Sequence, residues 1–98
     1  MERKMKFSHP GKILKMEIID GRGLSISKAS ELLGITRASL SNIVNSKSSI
    51  TPNMALRIET VFGGTADFWV RLQASYDLES AKQDFYKNPP KIRYFEYS

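Results

Sequence analysis

Four residues, Arg37, Ala38, Ser41 and Asn42, could do the most specific chemistry, because their spacing places them together on one face of a helix. An arginine can donate two hydrogen bonds to O6 and N7 of guanine, and an asparagine can pair with N6 and N7 of adenine. An alanine methyl can pack on a thymine methyl, and a serine hydroxyl can donate or accept. Each of the four could be an ordinary surface residue, but together they indicate a helix that contacts base edges.

Around these residues lie hydroxyl groups and one cation that could bind backbone phosphates. Helix caps and loops are the commoner use of such hydroxyls, so that alternative stands beside the phosphate interpretation. Lys47 is the strongest candidate of the group. The predicted phosphate contacts are Ser25, Ser27, Thr36, Ser39, Ser46 and Lys47.

A first helix is needed to support this region, and the sequence predicts that it begins near residue 10. Pro10 suits the first turn, because its missing N–H would be unpaired there, and Ser8 or His9 can cap it. Two glycines in the segment 20–23 end the helix after about three turns. Its predicted apolar stripe consists of Ile13, Leu14 and Ile18, joined by Met16 and Ile19.

Two short helices with a tight turn between them carry the candidate residues. Ser25 caps the first, Gly34 ends it, and Thr36 caps the second. A small residue, Ala29 or Ser30, allows the two helices to cross closely. This is the geometry in which the second helix of a helix-turn-helix enters the major groove. The residues expected to face inward are Ala29, Leu32, Leu33, Ile35, Leu40, Ile43 and Val44.

Two further helices are predicted by the same signals. The fourth begins at Thr51-Pro52 and ends at Gly63-Gly64. Its predicted apolar face consists of Met54, Ala55, Ile58, Val61 and Phe62, and Leu56 is a further candidate for burial. The fifth runs from about Ala66 to about Tyr86. Its surplus of large side chains predicts cover by a second subunit, although Trp69 also suits the core. The predicted dimer interface consists of Phe68, Trp69, Leu72 and Tyr76.

The chain is therefore predicted to be all-α, with one domain over residues 1–86 and a tail over residues 87–98. The tail alternates polar and apolar residues, which allows either a short strand or an ordered extension. Its aromatic residues Tyr94, Phe95 and Tyr97 could also stack on RNA bases, which leaves an RNA-binding alternative open.

Charge and composition narrow the function classes. Residues 1–50 hold nine basic and four acidic residues, whereas residues 51–86 hold three and five, so the first half suits a polyanion. The absence of cysteine excludes thiolate metal sites, and no glycine-rich segment has the spacing of a phosphate-binding loop. A single histidine and scattered carboxylates do not assemble acid–base catalysis. We therefore expect no enzyme activity, no cofactor, no metal and no small-molecule substrate.

No apolar run is long enough for a signal peptide or a membrane span, so we expect no membrane partner and a cytoplasmic protein. Bound to DNA, such a protein would be associated with the nucleoid.

Several motifs resemble those of HigA-type antitoxins, which belong to the Xre/Cro-like helix-turn-helix repressors. The resemblance covers residue 9 to about residue 78, and its last two motifs are the most specific to the subfamily. The first helix departs from the family in Lys12 and Met16, where acidic residues are common. The motifs are His9-Pro10-Gly11-x-Ile13-Leu14, Leu24-Ser25-x-Ser27, Leu33-Gly34-Ile35-Thr36-Arg37-x-Ser39-Leu40-Ser41, Ile50-Thr51-Pro52-x-Met54-Ala55-Leu56-Arg57 and Phe68-Trp69-x-x-Leu72-Gln73-x-x-Tyr76-Asp77-Leu78.

The resemblance implies a five-helix, lambda-repressor-like domain that forms a homodimer and represses its own operon. It also implies a second partner, a co-encoded HigB-like toxin that cleaves mRNA and is neutralised by the antitoxin. Twofold pairing predicts double-stranded operator DNA with an inverted repeat. A stand-alone Xre-family repressor without a toxin is the main alternative, and a small nucleic-acid enzyme such as the toxin itself is a third.

Overall fold

The computed structural model describes residues 8–95, and this part of the chain forms five helices and no strand. Helix α1 begins as an α-helix over Pro10–Ile13 and continues as a π-helix over Leu14–Asp20. The others are α2 (Ile26–Leu33), α3 (Arg37–Val44), α4 (Pro52–Phe62) and α5 (Ala66–Lys87). The all-α, five-helix prediction is confirmed. The basic residues Arg3, Lys4 and Lys6 and the tail residue Tyr97 lie outside the described residues.

Every helix begins at a side-chain cap. In α2 to α5 a hydroxyl oxygen accepts a hydrogen bond from the backbone N–H three residues later, which contributes about 1 kcal/mol per cap. In α1 the imidazole of His9 has this role, because its Nδ1 accepts from the N–H of Gly11 at 2.9 Å. The hydroxyl caps are Ser25, Thr36, Thr51 and Thr65.

The π-helical part of α1 changes which side chains reach the core. A π-helix pairs residues five positions apart, and Leu14 and Ile19, five apart, are both buried. Met16 falls off this face and is 63% exposed, so the prediction that it joins the apolar stripe is wrong. The prediction assumes α-helical spacing, whereas residues 14–20 have π-helical spacing.

The core lies where α1 to α4 meet, and the start of α5 closes it. Trp69 is only 5% exposed and belongs to this core. Leu32 is exposed, contrary to the prediction, because α2 buries the side formed by Ala29, Ser30 and Leu33. In α4, Leu56 and Val61 are also exposed, contrary to the prediction. The remaining buried apolar residues are Leu14, Ile19, Leu40, Ile43, Val44, Ile50, Met54, Ala55 and Ile58.

Helix α5 extends well beyond this core. Residues 80–95 are all exposed, so the last two turns of the helix and the following segment lie outside the buried core. The helix ends at Lys87, one residue past the predicted end, and residues 88–95 form neither helix nor strand. Of the two predicted forms of the tail, a strand is therefore absent from its described part.

We expect the buried cap of α1 to make stability depend on pH. Burial lowers the pKa of His9 below its ordinary value of 6.5; Lys12 also lowers it, whereas Asp77 opposes the shift. The unfolded chain therefore binds the proton more tightly, so the free energy of unfolding is greatest above pH 6.5 and falls as the pH drops below it. Urea unfolding at about pH 7 and about pH 5 measures this loss.

His9→Asn is the matched control, because asparagine can still cap the helix but does not titrate. Since His9 is the only histidine in the chain, the variant should lose most of the pH dependence in this range. An identical pH dependence in both proteins would contradict the assignment.

Candidate nucleic-acid interface

The turn between α2 and α3 is closed by backbone hydrogen bonds around a left-handed glycine. Gly34 has φ of +71°, a conformation that side chains disfavour. The N–H of Gly34 donates to the carbonyl of Glu31 at 3.2 Å, and the N–H of Ile35 donates to that of Ser30 at 3.1 Å. These two bonds form a Schellman motif, which ends α2 and directs the chain into α3 after two residues.

Helix α3 presents the four candidate base-reading residues on the side opposite its core contacts. Arg37, Ala38 and Asn42 are exposed and Ser41 is half-buried, whereas Leu40, Ile43 and Val44 are buried. The structure therefore brings all four together on one accessible helix face, with Arg37 in the first turn.

A neighbouring side chain orients the hydroxyl of Ser41. The amide Nδ2 of Asn45 donates a hydrogen bond to Ser41 Oγ at 3.2 Å. Because one lone pair of the oxygen is used in this way, the hydroxyl hydrogen is left to point elsewhere. Sequence reasoning allowed Ser41 to donate or accept, and this geometry favours donation.

The hydroxyls predicted to bind phosphate have other partners within the protein. Thr36 Oγ1 accepts from the N–H of Ser39 at 3.0 Å and donates to Ser39 Oγ at 2.9 Å. The hydroxyl hydrogen of Ser39 is thus the one that remains to be donated outward. Ser25 Oγ accepts from the N–H of Lys28 at 3.0 Å and keeps its own hydrogen, and Ser27 is exposed beside it.

Ser46 differs from the other candidates, because its hydroxyl oxygen is buried and has no hydrogen-bond partner among residues 8–95. A buried hydroxyl does not reach a phosphate in this conformation, so we leave Ser46 out of the interface. Its backbone is in the left-handed region, with φ of +64°. The unpaired hydroxyl and the left-handed backbone conformation both destabilise the folded protein.

Ser46→Gly is therefore expected to stabilise the protein by about 1 kcal/mol, because it removes the unpaired hydroxyl and the strained Cβ. The gain is smaller than the sum of the two effects, since glycine also increases the entropy of the unfolded chain. Thermal unfolding followed by circular dichroism would measure it. Ser48→Gly, two residues away at an exposed position outside the left-handed region, should lower stability instead. If both variants lost stability equally, the strain at Ser46 would not be real.

The charged residues of α3 and of the loop that follows it are all basic, which suits binding of an anion. No acidic residue occurs between Glu31 and Glu59, a stretch that contains Arg37, Lys47 and Arg57. Arg37 and Lys47 are exposed, and neither forms an ion pair within residues 8–95. This stretch of chain thus brings two unpaired cations and no carboxylate of its own to α3 and the following loop, which favours a phosphate backbone.

Two residues with structural roles beside this face were missed at the sequence level. Arg57 contacts the turn between α2 and α3 from α4. Gln73 is buried in α5, where its Oε1 accepts from the N–H of Ile50 at 2.8 Å and its Nε2 donates to Asp77 at 2.9 Å. A polar residue among apolar ones in a helix pattern was the only available signal for Gln73. Its partner lies 23 residues away, so the pairing could not be read from spacing.

The predicted dimer residues do not share one environment. Phe68 is 51% exposed, Leu72 and Tyr76 are half-buried, and Trp69 packs in the protomer core. Phe68 contacts Trp69 edge to face, with the ring centroids 5.1 Å apart, and Tyr76 contacts His9 in the same way, with the centroids 5.0 Å apart. Beside Phe68 lies an open cleft that is also lined by Leu72 and Arg71. Phe68 and Leu72 are thus the members with apolar surface left for a partner.

Residues 8–95 contain no cluster of three or more histidine, cysteine, aspartate or glutamate residues that could hold a metal ion. Within the same range, no helix is both long enough and apolar enough to cross a membrane.

Comparison with known proteins gives a consistent family. Virulence-associated protein I of Dichelobacter nodosus is 36% identical over 83 residues, which cover 85% of this chain and 77% of that protein. The uncharacterized HTH-type transcriptional regulator YbaQ of Escherichia coli strain K12 is 42% identical over 69 residues, 70% of this chain and 61% of that protein. The structure of the Pseudomonas aeruginosa antitoxin HigA with the higBA promoter has a TM-score of 0.82 at 28% identity, covering 90% of this chain and 97% of that one.

The sequence model of the helix-turn-helix family HTH_3 matches residues 15–69, which include α2, the turn, α3 and α4. The resemblance to HigA-type antitoxins is likewise confirmed by the structural match. The chain therefore belongs to the HTH_3 family of Xre-like helix-turn-helix DNA-binding proteins.

Proposed function

We propose that this protein is a dimeric transcriptional repressor that binds an inverted-repeat operator and also acts as the antitoxin of a toxin–antitoxin module. Helix α3 enters the major groove, where Arg37, Ala38, Ser41 and Asn42 contact base edges. The phosphate contacts are made by Lys47, by the hydroxyl of Ser39, which Thr36 orients, and by Ser25 and Ser27 at the start of α2.

The observation that carries this proposal is the exposed face of α3. Its polar side chains combine the two best base-reading groups, guanidinium and carboxamide, with a helix that is held rigidly by the core on its other side. The HigA antitoxin solved with promoter DNA has the same fold. That structure contains promoter DNA, so it supports the proposed operator binding. The proposed toxin partner is supported by the resemblance to antitoxins.

The dimer is proposed to form through α5. Large apolar or aromatic side chains are exposed along this helix at Phe68, Val70 and Leu78 and, beyond the core, at Phe85 and Tyr86. The concentration of five such side chains on one helix favours cover by a second subunit. Twofold pairing places the two α3 helices in successive major grooves about 34 to 36 Å apart, which requires an inverted repeat in the operator.

Fluorescence anisotropy with the protein's own upstream promoter and a scrambled duplex of equal length tests the repressor part. We expect the promoter to bind about a thousandfold more tightly at moderate salt, and both affinities to fall as the salt concentration rises. Equal affinity for both duplexes would overturn the operator proposal, since the basic charge alone would then explain binding.

The antitoxin part requires a separate experiment. Co-expression with each small open reading frame adjacent to the gene, followed by size-exclusion chromatography, should yield a stable complex that suppresses mRNA cleavage. A stand-alone repressor is the second candidate, favoured by the similarity to the regulator YbaQ. Operator binding without any neighbouring toxin gene or complex would select that candidate.

A further inference from the structure

Arg57 in α4 forms hydrogen bonds to the turn between α2 and α3. Its Nη1 donates to the carbonyl of Leu33 at 2.8 Å and to the carbonyl of Gly34 at 3.1 Å. These two carbonyls lie at the end of α2 and in the turn that leads into α3. One guanidinium therefore joins α4 to the helix-turn-helix at its hinge.

The orientation of this guanidinium is fixed from its own helix. Arg57 Nε donates to Asn53 Oδ1 at 2.8 Å, one helical turn earlier. The side chain is half-buried, which strengthens hydrogen bonds from a charged donor relative to a fully solvated contact. The arrangement holds the planar group from two sides, and a lysine ammonium could not reproduce it because it lacks the fork geometry.

The contact is also favourable electrostatically. The last carbonyls of a helix lack intrahelical partners and form the negative end of its dipole. Arg57 places a positive charge against this end of α2. The guanidinium also fits closely against the turn, because a Cβ at Gly34 would lie 3.0 Å from Arg57 Nη1.

We infer that Arg57 is a positioning residue for operator recognition: it fixes the α2–α3 turn, and with it the base-reading face of α3, without touching DNA bases itself. This inference depends on the proposed operator binding. When the clamp is lost, α3 stays folded on its buried side, since Leu40, Ile43 and Val44 still pack in the core. Its angle to α2 becomes less defined, so contacts that require exact placement weaken more than contacts with phosphates.

The test compares Arg57→Met and Arg57→Lys with the wild type. Methionine keeps much of the aliphatic stem, and lysine keeps the charge but not the fork. Lys15→Met is the control for lost charge, because Lys15 lies on α1, outside the proposed DNA and dimer contacts, and pairs only with Asp20 in the described structure, at 3.0 Å. Anisotropy with promoter and scrambled DNA at constant salt gives the specificity ratio of each protein, and circular dichroism at the same temperature gives its folded fraction.

We expect both Arg57 variants to lose operator affinity by about tenfold or more, and to lose affinity for scrambled DNA no more than Lys15→Met does. Arg57→Lys should remain folded and recover little of the specificity ratio. An unchanged ratio in Arg57→Lys and Arg57→Met, or an equal loss on both duplexes, would overturn the inference. If the wild type itself does not prefer its promoter, the proposed operator binding fails instead, which separates the two results.

Discussion

Gly11→Ala should destabilise the protein by about 3 kcal/mol or more, although alanine is the better helix former by about 1 kcal/mol. Gly11 is buried in the first turn of α1, where this helix crosses α3. A Cβ at this position would lie 1.8 Å from the carbonyl oxygen of Ile43 and 2.7 Å from its carbonyl carbon. Both atoms belong to the backbone, so the clash cannot be relieved by rotating a side chain.

The expected loss is a large part of the total stability of a small domain, about 5 to 15 kcal/mol. Urea unfolding followed by circular dichroism would measure it. Because Ile43 lies in α3, the helices can separate only by displacing the proposed base-reading face, and operator binding should fall with stability. Gly23→Ala is the control, since a Cβ there meets nothing within 4 Å and only its positive φ of +67° is strained. Gly11→Ala with stability equal to the wild type would refute the close crossing.

Arg37→Ala is expected to weaken binding to the operator by about 1 to 3 kcal/mol and to relax the base preference at one position of each half-site. Arg37 is exposed in the first turn of α3 and has no ion-pair partner among the described residues, so its guanidinium is available for a guanine. Stability should change little, because the side chain makes no buried contact. Anisotropy with a set of operators substituted one base pair at a time measures both effects.

Lys47→Ala provides the contrast within the same interface. A phosphate contact carries no base preference, so this variant should weaken binding to every duplex and reduce the slope of log affinity against log salt by about one. If Arg37→Ala behaved in this way, Arg37 would contact phosphate. A salt slope unchanged in Lys47→Ala would remove Lys47 from the interface.

The boundaries of the helices and the position of the turn were predictable from the sequence. The start of each helix depends on a cap that bonds to an N–H two or three residues later, as with Ser25 and Thr36. The turn depends on Gly34, whose left-handed conformation can be inferred from its residue type and its place after an apolar stretch. The exposed face of α3 followed from helical spacing. All of these features depend on residues near one another in the chain.

The tertiary structure decided the features that depend on distant residues. The π-helical part of α1 removed Met16 from the core, and the burial of Ala29, Ser30 and Leu33 left Leu32 exposed. The hydroxyl of Ser46 turned inward, away from the proposed interface.

Arg57 is the clearest case, since it reaches carbonyls 23 and 24 residues earlier in the chain. The sequence by itself determined the helices, the turn and the exposed face of α3, because capping, backbone conformation and side-chain periodicity act over a few residues. Only the packing of α1 and α4 against α2 and α3 decided the orientation of α3 within the domain. Close approach and hydrogen bonding between distant segments depend on atomic positions that no local pattern encodes.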